Sequence, residues 1–92
     1  MNYDSIRKKS FKNAFEVLQS QNCGCFYCLK IYPTSEINEN CIIAENDGKE
    51  TVWCSKCGID AVIPESTEYK LDVSLLKKLH VDSFEIDDDF YD

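Results

Sequence analysis

Apolar residues recur at helical spacing near both ends of this chain and gather into short extended runs between. Phe11, Ala14, Phe15 and Leu18 share one helical face, Ile6 lies on a neighbouring one, and Asp4 or Ser5 stands where an N-cap belongs. The pattern predicts a first helix from about residue 5 to residue 20, ended by Gln21 and Asn22. Leu29-Lys30-Ile31-Tyr32 reads as extended until Pro33, after which Thr34 or Ser35 with Glu36, Ile37 and Asn38 looks like the capped start of a short second helix. Ile37 and Cys41 are four apart, which points Cys41 into the core as a small hydrophobe. Asn46-Asp47-Gly48 supplies a turn, Glu50-Thr51-Val52-Trp53-Cys54 reads as a strand, and the chain from Gly58 to Ile63 reads as another, stopped by Pro64. Asp72 caps a last helix with Val73, Leu75, Leu76 and Leu79 as its apolar stripe and Lys77, Lys78 and His80 near its negative end.

The cysteines bind these pieces into one architecture. Cys25-Phe26-Tyr27-Cys28 and Cys54-Ser55-Lys56-Cys57 are two Cys-x-x-Cys pairs far enough apart to fold back on each other. Such a turn aims two sulfurs at one ion while its backbone N–H groups point at those sulfurs, and two turns complete a tetrahedral set of four thiolates. Cys25, Cys28, Cys54 and Cys57 are therefore the expected ligands of a single structural Zn²⁺, with Gly58 turning the chain after the last of them. Cys23 stands two residues before Cys25; as a ligand in its place it would need a longer, less common loop, so it reads as a spare thiol. Phe26 and Tyr27 are either a stacking platform for bases or a cover that keeps water from the sulfurs. His80 is the only histidine, and with four sulfurs filling the metal it reads as a capping or surface residue rather than a ligand or a base.

Ninety-two residues allow one domain, short enough to need a metal, disulfides or a partner for stability. No signal peptide and no membrane-length apolar run is visible, so paired cysteines in a reducing cytoplasm favour metal over disulfides. Ten basic residues face seventeen acidic ones, for a formal net charge of −7. Arg7, Lys8, Lys9 and Lys12 put a basic face on the first helix, whereas the stretch from Asp82 to Asp92 is acidic throughout. That stretch also carries Phe84, Ile86, Phe90 and Tyr91, too apolar for a linker and too acidic to pack unaided. The expected organisation is a metal domain over residues 1–81 and an acidic-aromatic tail over residues 82–92.

Three stretches carry a resemblance: Cys23-Gly24-Cys25-Phe26-Tyr27-Cys28-Leu29, the run from Cys54 to Ile63, and Leu75-Leu76-Lys77-Lys78-Leu79-His80. Over roughly residues 5 to 81 the chain resembles a family of small, uncharacterised bacterial cytoplasmic proteins. In that family a first knuckle C-G-C-F-Y-C is followed by a Pro-led helix, a T-A-x-C-P-x-C-G-I-D-S-V-I segment and a helix ending K-K-M-H. Ser55 stands here where a proline is usual, Ala61 where a serine is, and Cys41 near a usual tryptophan; none of these removes a ligand. The resemblance implies a zinc-ribbon-like fold and a cytoplasmic location, and it implies no activity.

The sequence thus predicts a small α+β domain in which helices flank a zinc-ribbon hairpin formed by the strands on either side of the second knuckle. Its function is expected to be non-enzymatic: a zinc-stabilised protein-binding module, for instance of the immunity, antitoxin or inhibitor type, that engages a basic partner through Phe84, Asp87, Asp88, Asp89 and Phe90. The alternative is a nucleic-acid-binding zinc ribbon, which the shortage of basic groups disfavours. A metal enzyme would need an open coordination position that four sulfurs do not leave. The bland reading of the tail is that Phe84 and Ile86 make an edge strand or pack on the first helix.

Overall fold

Lys12 has a φ of 54°, and a backbone in that region cannot sit inside a right-handed helix. The single helix expected up to residue 20 is therefore two: α1, Tyr3–Lys8, and α2, Ala14–Gln19. Between them Lys9, Ser10 and Phe11 donate to the carbonyls of Ile6, Arg7 and Lys8, the tightened bonds that close a helix end. The break turns the face over. Ile6, Ala14 and Val17 are buried, and Phe11, Phe15 and Leu18 face outward, so of the predicted stripe only Ala14 is in the core. What overrides the stripe is Asn13, buried at the junction. Its Nδ2 donates to Val62 O (2.7 Å) and its Oδ1 accepts from Val52 N (2.9 Å). A buried amide with both ends satisfied fixes the rotation of the segment more firmly than two aromatic side chains do.

The computed structural model describes residues 3–85. Its strands form two small antiparallel sheets. β1 (Asn22–Cys25) is central in the first, with β2 (Ile31–Pro33) on one side and β5 (Val62–Pro64) on the other. Cys23 lies opposite both Tyr32 and Pro64, and Cys25 opposite Val62. β3 (Ile42–Ala44) and β4 (Glu50–Val52) make the second sheet across the Asn46-Asp47-Gly48 turn, with Ile42 opposite Val52. The predicted hairpin across the second knuckle is absent, because the strands flanking it belong to different sheets. The first knuckle closes a hairpin instead, β1 to β2, and the second carries the chain from one sheet to the other. Pro64 ends β5 without breaking its pairing, since β5 is an edge strand and needs no donor on its outer side.

The expected second helix is reduced to two single 3₁₀ turns, Thr34–Glu36 and Glu39–Cys41. Ile37 between them is extended, and the Asn38 side chain accepts from Asn40 N, a local bond that competes with helix continuation. Cys41 is only half-buried and lies in a shallow surface groove with Asn40, Ile43, Trp53 and Gly58, not in the core. The last helix forms as expected. α3 (Val73–His80) starts at Asp72, whose Oδ1 accepts from Leu75 N (2.9 Å), and buries Leu75, Leu76 and Leu79. Val73 faces outward. The helix approaches β1 closely over Gly24, where an added Cβ would stand 2.9 Å from a methyl of Leu71 and 3.3 Å from Leu76. Val81–Glu85 continues α3 as one wider, π-helical turn. Among the described residues no helix is long and apolar enough to cross a membrane.

Candidate metal centre

The two knuckles share one backbone pattern. Cys25 N donates to Lys30 O and Leu29 N to Cys25 O; in the second knuckle Cys54 N donates to Ile59 O and Gly58 N to Cys54 O. The amide two residues after the first cysteine points at its sulfur in both, Tyr27 N to Cys25 Sγ (3.4 Å) and Lys56 N to Cys54 Sγ (3.3 Å). The residue after the last cysteine takes positive φ in both: Leu29 at 65° and Gly58 at 82°. Glycine enters that region without cost, whereas at Leu29 the same turn is strained.

Facing each other, the knuckles bring Cys25, Cys28, Cys54 and Cys57 together with their sulfurs all within 4.8 Å. Across the gap Cys25 Sγ lies 3.7 Å from Cys57 Sγ and Cys28 Sγ 3.8 Å from Cys54 Sγ. A tetrahedral ion with bonds of about 2.3 Å to sulfur separates its ligands by about 3.8 Å. A disulfide would hold the sulfurs at about 2.05 Å. The spacing therefore fits four ligands of one metal ion and not two disulfides. Cys25 and Cys54 are buried, and Cys28 and Cys57 are half-buried.

The electrostatics are those of a site made for a cation. Cys54 is pulled down to about 4, first by the thiol of Cys25, its neighbour in the cluster, and then by the Tyr32 hydroxyl and the Lys56 and Cys57 amides. Cys25 is pushed up, first by competition with Cys54 for the negative charge and then by burial, and burial lifts Cys57 to about 11. Four thiols this close cannot all ionise alone; a bound dication removes the conflict.

Tyr32 is a site residue that the sequence reading passed over. It is buried, its hydroxyl donates to Cys54 Sγ (3.5 Å) and accepts from Ser55 N (3.3 Å), and burial with the nearby Cys54 pushes its own ionisation up. No periodicity marks it, because the contact spans 22 residues. Cys23 is outside the cluster, as expected. Its thiol donates to Tyr32 O (3.7 Å), and burial raises it to about 12.

His80 lies by the first knuckle, where its Nδ1–H donates to Phe26 O (3.0 Å), and it ligates nothing in the cluster. Phe26 is buried beneath Phe84, with ring centroids 5.9 Å apart, and Phe84 meets Tyr27 edge-on at 5.1 Å. His80 touches both Tyr27 and Phe84. The end of α3 thus covers Phe26, while Tyr27 and Phe84, though in ring contact, stay partly exposed. Asp87, Asp88, Asp89 and Phe90 lie outside the described residues.

The basic residues of α1 and of the turn after it are matched by carboxylates. Arg7 pairs with Asp4 and, at 3.6 Å, with Asp82; Lys8 with Asp4 at 3.9 Å; Lys9 with Glu16 at 3.8 Å; and Lys12 with Asp47 at 2.8 Å. No family model matches the chain, and no curated protein and no solved structure matches it.

Proposed function

We propose that this chain is a non-catalytic protein-binding module held together by one structural Zn²⁺ on Cys25, Cys28, Cys54 and Cys57, and that its acidic end engages a basic protein surface. The observation that carries the reading is the cluster of four cysteine sulfurs. With every ligand a cysteine, no coordination position is left for water or substrate, so the ion would serve as a cross-link between the two sheets. Zinc is the ordinary occupant of a closed four-thiolate set in a small domain, where it contributes folding energy outright.

The start of the acidic stretch is fixed beside the first knuckle, through Asp82 on Arg7 and Phe84 on Phe26 and Tyr27. Farther along the sequence, Asp87, Asp88 and Asp89 would steer a basic partner and Phe90 would anchor it. The nucleic-acid reading has less support, since Arg7 and Lys8 of α1 and Lys9 and Lys12 after it each already have a carboxylate that a phosphate would have to displace. All six cysteines are free, which fits a reducing compartment, and we place the protein in the cytoplasm.

Metal analysis and partner capture test the two halves separately. One zinc per chain is expected for the wild type and for Cys23→Ser and Cys41→Ser, and loss of zinc for Cys25→Ser or Cys57→Ser. Iron, or zinc lost with Cys23→Ser but kept with Cys25→Ser, refutes the assignment. For the partner, tagged protein should recover a basic protein from its host that Asp87→Asn/Asp88→Asn/Asp89→Asn does not; equal recovery by both refutes the docking role.

A further inference from the structure

Ion pairing among the described residues leaves a group of neighbouring lysines without acid. Arg7, Lys8, Lys9, Lys12 and Lys56 each pair with a carboxylate, whereas Lys70, Lys77 and Lys78 pair with none. Lys77 and Lys78 border a shallow groove of about 380 Å³ between α3 and the start of α1, together with Tyr3, Val81 and Asp82. Asp82, its only acid among the described residues, already pairs with Arg7. Tyr3 and the half-exposed Val81 give the groove an apolar floor. Lys70 and Lys78 carry the basic rim on past Tyr3, where the nearby Asp72 is committed to capping α3. An apolar floor under unpaired ammonium groups suits a segment in which acidic and large apolar side chains stand side by side.

The chain carries such a segment at the groove's own edge. Val81 and Asp82 belong both to the groove and to the turn Val81–Glu85, and Ile86-Asp87-Asp88-Asp89-Phe90 follows directly in the sequence. Five extended residues reach about 17 Å, and Val81 lies one helical turn, about 6 Å along the axis, before Glu85, so the acids can return to Lys77 and Lys78. A segment tethered this closely acts at a local concentration on the order of millimolar. An acidic segment of another protein lacks that advantage and meets a chain of net charge −7, and a nucleic acid meets the same repulsion.

We infer that the groove between α1 and α3 seats the chain's own acidic-aromatic segment, with Asp87, Asp88 and Asp89 against Lys77 and Lys78 and Phe90 on Tyr3 and Val81. The contact is electrostatic at its rim and apolar at its floor, so it yields to a surface more basic than two lysines. Competition between the groove and an outside partner rests on the function proposed above; the self-contact does not.

Backbone amide NMR spectra of the zinc-loaded full chain, with no partner present, test it. The signals of Tyr3, Lys77 and Lys78 should move in Asp87→Asn/Asp88→Asn/Asp89→Asn, although Tyr3 is remote from those positions in sequence. The difference from wild type should fall at least two-fold between about 0.1 M and 1 M salt, where the Debye length drops from about 10 Å to about 3 Å. Phe90→Ser should also move Tyr3 and Val81. In a Lys77→Gln/Lys78→Gln background the same aspartate changes should leave Tyr3 unmoved; both lysines are exposed, so that background should keep the wild-type dichroism and zinc content. Equal spectra for the wild type and the aspartate variant overturn the inference. So does a Tyr3 shift that persists in the lysine background, survives 1 M salt undiminished, or grows with protein concentration, which would make a second copy the occupant. Because no outside protein is in the sample, failure here leaves the partner reading standing, and failure of the partner capture leaves the self-contact standing.

Discussion

Asn13→Ala should destabilise the domain on the scale of a core truncation, although it removes only a polar side chain. β4 and β5 are the facing edges of two separate sheets, and no ladder of backbone bonds joins them. The Asn13 amide replaces one rung of such a ladder, its oxygen on Val52 N at 2.9 Å and its nitrogen on Val62 O at 2.7 Å, all three residues fully buried. Alanine leaves both buried backbone groups without their side-chain partners. An abandoned buried N–H costs about 2 kcal/mol and the more tolerant carbonyl about 1, so the expected loss is about 3 kcal/mol. A domain of this length has on the order of 5 to 14 kcal/mol in total, and the loss corresponds to a fall in Tm of about 12 to 24 °C. Thermal unfolding followed by far-UV dichroism measures it, with free zinc held equal for both proteins because bound metal shifts the midpoint by mass action. Asn13→Asp separates the two bonds: the acceptor for Val52 N is kept, but a carboxylate is set against Val62 O, and a loss at least as large as that of alanine is expected. A change within about 0.5 kcal/mol for Asn13→Ala, the range of ordinary surface substitutions, would refute the reasoning.

The knuckles supply a second test. At Leu29 glycine should be more stable than alanine by about 1 kcal/mol, since both lose the packing and only glycine loses the positive-φ strain, while Gly58→Ala should cost about 1 kcal/mol; denaturant titration reads both, and the opposite order at Leu29 refutes the shared geometry. Tyr32→Phe removes the hydroxyl from Cys54 and the acceptor from Ser55 N, and competition with a chromophoric chelator should find zinc held about ten-fold less tightly. Glu65 is held below its ordinary value of 4.5, first by Asn22 N–H and then by the Asn22 side chain. A carboxylate depressed on folding adds stability above its unfolded value and loses it as the pH falls through the folded one, so Glu65→Gln should lower the midpoint at pH 7 and lose its effect in acid; an effect that does not shrink as the pH falls, measured by urea denaturation, refutes it.

How far the sequence could be read follows from the range of each interaction. The four ligands were legible because a Cys-x-x-Cys turn is local and its purpose is written in its spacing. Asp72 and the three buried leucines of α3 were legible for the same reason: a cap and a stripe are features of one helix. The first helix misled because Phe11, Phe15 and Leu18 outweigh Ile6 and Val17 in any periodicity. What decides the rotation is a polar residue bonded to strands 39 and 49 positions away. The hairpin went to the wrong knuckle because both knuckles offer the same turn; pairing Cys23 with Tyr32 and Pro64 depends on which neighbours α3 can cover over Gly24. Tyr32 carried no signal beyond being an aromatic in a short strand.

In each knuckle the first cysteine is buried and the second half-buried, and because the knuckles face each other this gives the cluster a dry side, Cys25 and Cys54, and a wet side, Cys28 and Cys57. The dry side also holds the deeper bonding, with amides on both sulfurs and Tyr32 on Cys54. An ion held there would be more accessible from the Cys28 and Cys57 side. A chelator, an oxidant or a competing thiol meets Cys28 or Cys57 first and must free those two before the inner pair is reached. Exchange would then proceed through a half-released state in which the buried cysteines still grip the ion, one from each knuckle, so the two sheets stay joined until the last bond is lost.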